Sequence, residues 1–215
     1  MRSFNRPAID SALRLILDST KGPQDSQQSR LPSRIKKLLD LDRMLAAEAT
    51  RGTARAFTDH AGLKQGVDAA YTHFNAFCLA LGLELLEAGF KQSEVVLWIR
   101  LTRRTLETEY PRILREHLAG TAPEGEPLPL PNKKDRCYMM VENILSDDSF
   151  QELKPTPTSR KSGAKAVAIL PKFFYGTREL AEALDRTPTD LRRWLIIECR
   201  FLAVRLHNAL VETLD

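Results

Sequence analysis

The residues best suited to chemistry are scattered along the sequence. The four histidines (His60, His73, His117 and His207) have no histidine, cysteine or carboxylate at i+3 or i+4, the spacing of helical metal sites. Asp147 and Asp148 form an acidic pair in a predicted loop, and Ser162-Gly163 lacks the further glycines of a phosphate-binding loop. The sequence therefore predicts a protein that is not an enzyme, with no metal site and no cofactor.

The cysteines indicate the compartment. Cys78, Cys137 and Cys199 are an odd number, lie far apart and fall among apolar residues. This favours buried, reduced thiols and a cytoplasmic location over a disulfide framework. No apolar run approaches the roughly 20 residues that cross a bilayer, so no membrane partner is predicted.

One short stretch carries the positive charge. Residues 30–55 contain seven Lys/Arg against three Asp/Glu, an excess equal to the formal net charge of +4 of the whole chain. A local positive field suits a polyanion such as duplex DNA, and a solvated helix face is the alternative. The predicted DNA-binding residues, including one further lysine, are Arg30, Arg34, Lys36, Lys37, Arg43, Arg51, Arg55 and Lys64.

Polar and proline-rich stretches suggest a division of the chain. Residues 1–30 read as a short amphipathic helix (7–17) and a polar linker, and residues 31–118 as a helical domain. Residues 119–134 hold four prolines and read as a linker, which leaves 135–215 as a C-terminal α+β region. The predicted fold class is mainly α with a small β component: a winged-helix-like helical domain, then a smaller α+β region that ends in a long helix.

The helical domain has a recognisable order of elements. A basic helix begins near Ser33, and residues 54–58 and 68–72 form a plausible β-hairpin. Apolar periodicity predicts a helix over 73–88 that stops at Gly89, then a helix from Gln92 to about Leu118 that Pro111 breaks or kinks.

The C-terminal region ends in a strongly apolar segment. Residues 137–145 and 165–175 are predicted to form a strand pair, and a helix is predicted from about Thr189 to Leu214. Because that helix is apolar on more than one side, a second copy is predicted to cover it in a homodimer; the strand pair within one chain is the alternative. The predicted dimer-interface residues are Trp194, Ile197, Phe201, Leu202 and Leu206.

Two short motifs follow one another in this helical domain: Tyr71-Thr72-His73-Phe74, and Ala88-Gly89-Phe90 followed by Gln92-Ser93-Glu94. With them, residues 31–106 resemble the winged-helix DNA-binding domain of MerR-type regulators, in which the first motif stands where the wing's tyrosine and the next helix begin and the second stands at the helix junction. The resemblance implies a groove-facing helix, a β-hairpin wing and a role in transcription regulation. The predicted function is therefore DNA binding by a regulatory or DNA-organising protein, and the alternative is a protein-interaction or assembly adaptor.

Overall fold

The computed structural model describes residues 3–18, 30–48, 55–59, 70–115, 126–143, 171–186 and 193–213. These residues form six α-helices and a small antiparallel sheet, which confirms the predicted mainly α fold with a small β component. In chain order the elements are α1 (Arg6–Asp18), α2 (Leu31–Glu48), α3 (His73–Glu87), α4 (Gln92–Arg115), a 3-10 turn (Lys133–Asp135), β1 (Cys137–Asn143), β2 (Lys172–Tyr175), α5 (Thr177–Arg186), β3 (Arg193–Glu198) and α6 (Cys199–Glu212).

Helix α3 forms the centre of the core because nearly all of its residues are apolar. It is buried from Phe74 to Leu83 and again at Leu85. Gly82 lets neighbouring elements approach closely: a β-carbon there would lie 3.3 Å from Val95 of α4 and 3.5 Å from Leu38 of α2. A helix apolar on all sides has to be surrounded, and here α2, α4 and α6 pack against it.

Both ends of α3 follow the sequence prediction. The Thr72 side chain accepts a hydrogen bond from the Asn75 amide at 3.1 Å and caps the first turn. Gly89 follows the last turn with φ of 93°, a conformation that favours glycine. The Phe90 amide then donates to the Leu85 carbonyl at 3.1 Å, and the Phe90 ring is buried.

The predicted hairpin is wrong in the residues that the structure describes. Residues 55–59 contain no strand, and Ala56 and Phe57 are fully buried. Tyr71, predicted to lie on the second strand, instead forms an antiparallel bridge with Phe4. The amide of Ala56 donates to the Asp42 carboxylate rather than to a partner strand. The turn predicted around Gly62 and Gly66 lies outside the described residues.

Two helix boundaries differ from the sequence prediction. Helix α2 begins at Leu31, two residues before Ser33, with Pro32 in its first turn, where proline is tolerated. Helix α4 continues through Pro111 to Arg115, so Pro111 does not break the helix. Both Pro111 and Glu107 are exposed, so the carbonyl that the proline deprives of its helical donor lies on the solvent side.

The predicted strand pair is confirmed in the residues that the structure describes, as β1 and β2. Strand β1 pairs antiparallel with β2, from Cys137 opposite Tyr175 to Met140 opposite Lys172. On its other side β1 pairs antiparallel with β3, which gives the sheet order β2-β1-β3.

The long terminal helix is wrong over its first part. Residues 193–198 form the strand β3, and α6 begins only at Cys199. The Glu198 side chain caps α6 by accepting a hydrogen bond from the Phe201 amide at 2.7 Å. Residues 187–189, the predicted helix start, lie outside the described residues.

The packing runs across the boundaries that were predicted from the sequence. One hydrophobic core joins Ile9 of α1, Phe77 of α3, Met139 of β1 and Leu206 of α6. Residues 126–131, predicted as linker, include the buried Leu128, which is hydrogen-bonded to α6. None of the described helices combines the length and apolar composition that a bilayer span requires.

Candidate functional site

The predicted DNA-binding residues divide into three groups. Arg30, Lys36, Lys37 and Arg43 are exposed on or next to α2, whereas Arg55 is half-buried. Two of the cations on α2 have acidic partners, since Arg34 pairs with Glu87 and Arg43 Nη1 lies 3.3 Å from an Asp40 oxygen. Arg51 and Lys64 lie outside the described residues.

A free positive surface therefore remains on α2. Lys36 and Lys37 are exposed and form no ion pair within the described part of the chain. Of the predicted wing, residues 55–59 fold inward and do not lie beside this basic face. Within the described residues, the surface supplies charge for phosphate contacts but no second element to enter a groove.

Two of the histidines lie together. The rings of His73 and His207 are stacked with centroids 4.9 Å apart, and Nε2 of His207 lies 3.1 Å from the Glu126 carbonyl oxygen. The described residues contain no cluster of histidine, cysteine or carboxylate groups able to hold a metal ion. His60, His117, Asp147, Asp148, Ser162 and Gly163 lie outside those residues.

The cysteines are free and buried, as predicted. Burial raises the pKa of the Cys78 thiol to about 12 and that of Cys199 well above its usual range. Both thiols are therefore protonated at neutral pH, and a protonated, enclosed sulfur is a poor nucleophile.

A buried polar network holds residues 55–59 in place. Asp42 accepts from the Ala56 amide at 3.0 Å and from Arg100 Nε at 2.6 Å. Arg103 donates to the Ala56 carbonyl at 2.6 Å and to the Asn75 side-chain oxygen at 2.8 Å, and it pairs with Asp59. Because these donors and acceptors serve one another, the network anchors a segment rather than presenting groups to a ligand.

The predicted dimer residues are placed in different environments. Ile197 and Leu206 belong to the core of one chain and are closed to a partner. Trp194 and Leu202 are half-buried, and Phe201 is 37% exposed. The apolar surface accessible to a partner is therefore smaller than predicted, and it lies at the junction of β3 and α6.

A groove runs along this junction. It has a volume of about 230 Å³. Its wall residues come from the end of α1, the end of α3, strand β3 and the first two turns of α6: Ile16, Glu84, Leu195, Ile196, Ile197, Glu198, Phe201, Leu202 and Arg205. The groove thus unites three of the five predicted dimer residues.

Polar side chains at the groove brace its walls. Glu198 accepts from the Phe201 amide and also from the Cys137 amide at 3.1 Å, which ties the start of α6 to β1. Desolvation by burial raises the pKa of the Glu198 carboxyl, although backbone amides oppose this shift. Arg205 Nη2 donates to the Leu15 carbonyl at 3.3 Å and joins α6 to α1. These bonds join the elements that form the groove, and most of the residues that line it are apolar.

Sequence reasoning missed Leu15 as an exposed apolar residue and placed Ile196 on a helix instead of a strand. Leu15 is 53% exposed, and Ile196, which lines the groove, is 38% exposed. Ile196 was assigned to a helix, and only the β-branched pair Ile196-Ile197 after Trp194 signalled a strand. No protein-family model, curated protein or solved structure matches the chain. The resemblance to MerR-type domains stays a prediction.

Proposed function

We propose that this chain is an assembly module that self-associates through β3 and the adjoining groove. The observation that carries the proposal is the exposed Ile196 on an edge strand. Strand β1 is central in the sheet, so β3 has one strand neighbour in the part of the chain that the structure describes. An edge strand offers unpaired backbone groups to another chain.

Within the described residues, the middle of β3 lacks the usual protection against pairing with another chain. Proteins protect open edges with charged side chains, proline or a bulge; β3 has Arg193 and Glu198 at its ends, and residues 194–197 between them are Trp-Leu-Ile-Ile. Ile196 and Phe201 expose apolar surface directly beside this edge. A second chain that pairs with β3 would cover both.

Symmetry restricts how two copies can pair. In an antiparallel pair, two directly opposite residues either both point their N–H and C=O groups at the partner strand or both point them away from it. The two kinds of pair alternate along the strand. Two copies related by a two-fold axis therefore place one residue opposite itself. Because Ile196 is the exposed residue of β3, we place it at the axis, with Trp194 opposite Glu198 of the other copy.

This arrangement predicts a specific cross-link. Ile196→Cys puts two thiols directly opposite each other, where cross-strand β-carbons lie about 4.5–5.5 Å apart, close enough for a disulfide after a small adjustment. Mild oxidation should give a covalent dimer on non-reducing gels. The native cysteines are buried and do not compete. The matched control is Leu184→Cys on α5, because Leu184 is 40% exposed and lies away from the groove; it should give no covalent dimer on the same gels.

Light scattering gives a second measurement for the same prediction. The parent should show twice the 24.3 kDa mass of one chain, and Ile196→Asp should return it to one, because like charges directly opposite destabilise a strand pair. A parent that stays at 24.3 kDa over micromolar concentrations, with no cross-link at position 196, would refute the proposal.

DNA binding is the second candidate, and the exposed face of α2 favours it. Residues 30–43 contain four exposed cationic side chains and one exposed carboxylate, Asp40. The cations are Arg30, Lys36, Lys37 and Arg43. Phosphate contacts from such a face supply affinity without sequence information. The resemblance to MerR-type regulators supports this candidate through the Gly89-Phe90 junction, and a dimer would present two basic faces to one duplex.

A salt titration tests this candidate. If Lys36 and Lys37 contact phosphates, Lys36→Ala with Lys37→Ala should flatten the slope of log K against log salt by about 1.8, at roughly 0.9 per contact. The control is the same change at Lys133 and Lys134, an exposed pair on the 3-10 turn, which should leave the slope unchanged. Equal slopes for the parent and both double variants would contradict DNA binding by α2.

A further inference from the structure

The second apolar side of α6 is covered by the chain itself. Val204 and Val211 are buried but lie outside the main core. Their spacing of seven residues places them on one side of the helix, together with His207 and Asn208. Residues 126–131, here called the strap, lie over this side, because Asn208 and His207 contact the backbone of Leu128 and Glu126.

Asn208 and His207 contact the strap through its backbone atoms. The Asn208 side-chain oxygen accepts from the Leu128 amide at 2.7 Å, and its nitrogen donates to the Leu128 carbonyl at 2.8 Å. Nε2 of His207 lies 3.1 Å from the Glu126 carbonyl, two residues earlier. A side-chain amide that bonds both backbone groups of one residue recognises an extended chain without regard to its side chains.

Specificity comes from Leu128 and from the prolines. Leu128 is buried, whereas Leu130, two residues later, is 59% exposed. The strap reads Glu-Pro-Leu-Pro-Leu-Pro, and prolines on both sides of Leu128 hold the chain extended before it docks, which lowers the entropy lost on binding. Proteins recognise proline-rich peptides by the same three features: a buried apolar side chain, hydrogen bonds to the peptide backbone, and an extended conformation that exists before binding.

We propose that the side of α6 formed by Val204, His207, Asn208 and Val211 is a binding site for extended Pro-Leu-Pro peptides, which the strap occupies intramolecularly. The strap acts as a tethered competitor. A tethered ligand works at an effective concentration of about millimolar, so a peptide from another chain binds only when the strap leaves. This site is separate from the β3 edge, and the inference does not depend on self-association.

The test uses the full chain and a labelled synthetic peptide with the sequence of residues 126–132, EPLPLPN. Leu128→Asp removes the anchor of the strap and should raise the affinity for the peptide by at least about tenfold, as expected when a competitor that fills most of the sites is lost. Leu130→Asp is the matched control, because that side chain is already exposed; it should bind the peptide as weakly as the parent. Fluorescence anisotropy measures both.

A second substitution identifies the site. Adding Asn208→Leu to Leu128→Asp should abolish the gained binding, since the amide that reads the peptide backbone is lost. If Leu128→Asp does not fold, Pro127→Gly with Pro129→Gly loosens the strap without a buried charge and should give a smaller gain. A released chain that fails to bind the peptide, or that binds it equally well with Asn208→Leu, would overturn the proposal.

Discussion

Replacing Asp42 by alanine is expected to lower the free energy of unfolding by about 3–5 kcal/mol, the usual cost of removing one partner from a buried ion pair. The Asp42 carboxylate is nearly inaccessible and neutralises Arg100, whose side chain is only 10% exposed. It also accepts the Ala56 amide with both oxygens, at 3.0 and 3.1 Å. The variant would leave the Arg100 cation without its counter-charge and the Ala56 amide without its acceptor inside the protein.

Asp40 provides the matched control on the same helix. Its ion pair with Arg43 is exposed, and such pairs contribute at most about 1 kcal/mol to stability. The free energy of unfolding of Asp40→Ala should therefore lie within about 1 kcal/mol of that of the parent. Urea unfolding followed by circular dichroism measures both variants. If Asp42→Ala is no less stable than Asp40→Ala, the network does not anchor residues 55–59 as described.

The sequence was most informative where short-range periodicity decides the structure. Helix α3 and its boundaries could be predicted because Phe74, Phe77, Leu81 and Leu85 recur at helical spacing and Gly89 ends the run. These signals act within one or two turns, so no distant partner alters them. The same holds for β1, whose β-branched and aromatic neighbours predicted a strand.

The sequence failed where a distant partner decides the conformation. The apolar residues of 193–198 continue the helical spacing of α6. These residues nevertheless pair with β1 as the third strand of the sheet, across a separation of about 55 residues in the sequence. Local helix propensity is a weak preference that tertiary pairing overrides. The error in β3 hid the edge strand on which the candidate assembly site rests.

The hairpin prediction failed for a related reason. Ala54–Thr58 has the composition of a strand, but Asp42 and Arg103, from α2 and α4, satisfy the backbone groups of Ala56. A buried backbone needs a partner, and side chains far away in sequence can supply it as well as a strand can. The sequence of residues 54–72 alone does not indicate that side chains from α2 and α4, and not a partner strand, bind the Ala56 backbone.

The second large effect is expected at Arg200, which joins the sheet region to α4. Its guanidinium is buried and donates to the Ile113 carbonyl at 2.8 Å, the Arg112 carbonyl at 3.4 Å and the Asp135 carbonyl. Arg200→Met keeps much of the volume but leaves these three acceptors without their donor. At about 1–3 kcal/mol for each buried unsatisfied group, the loss should be about 3 kcal/mol or more.

Arg200→Lys should recover only part of this loss, because one ammonium cannot reach three carbonyls that a planar guanidinium bridges. Arg178→Met is the control, since Arg178 is 92% exposed and pairs with Glu182 on the surface of α5; it should leave stability within about 1 kcal/mol of the parent. Amide hydrogen exchange distinguishes a local loss of stability from a global one. In Arg200→Met the amides of β1 should exchange faster than those of α3. The reason is that the lost bonds join the start of α6 to the segment before β1 and to the end of α4. Equal protection of β1 in Arg200→Met and in the parent would show that packing alone holds the sheet on α4.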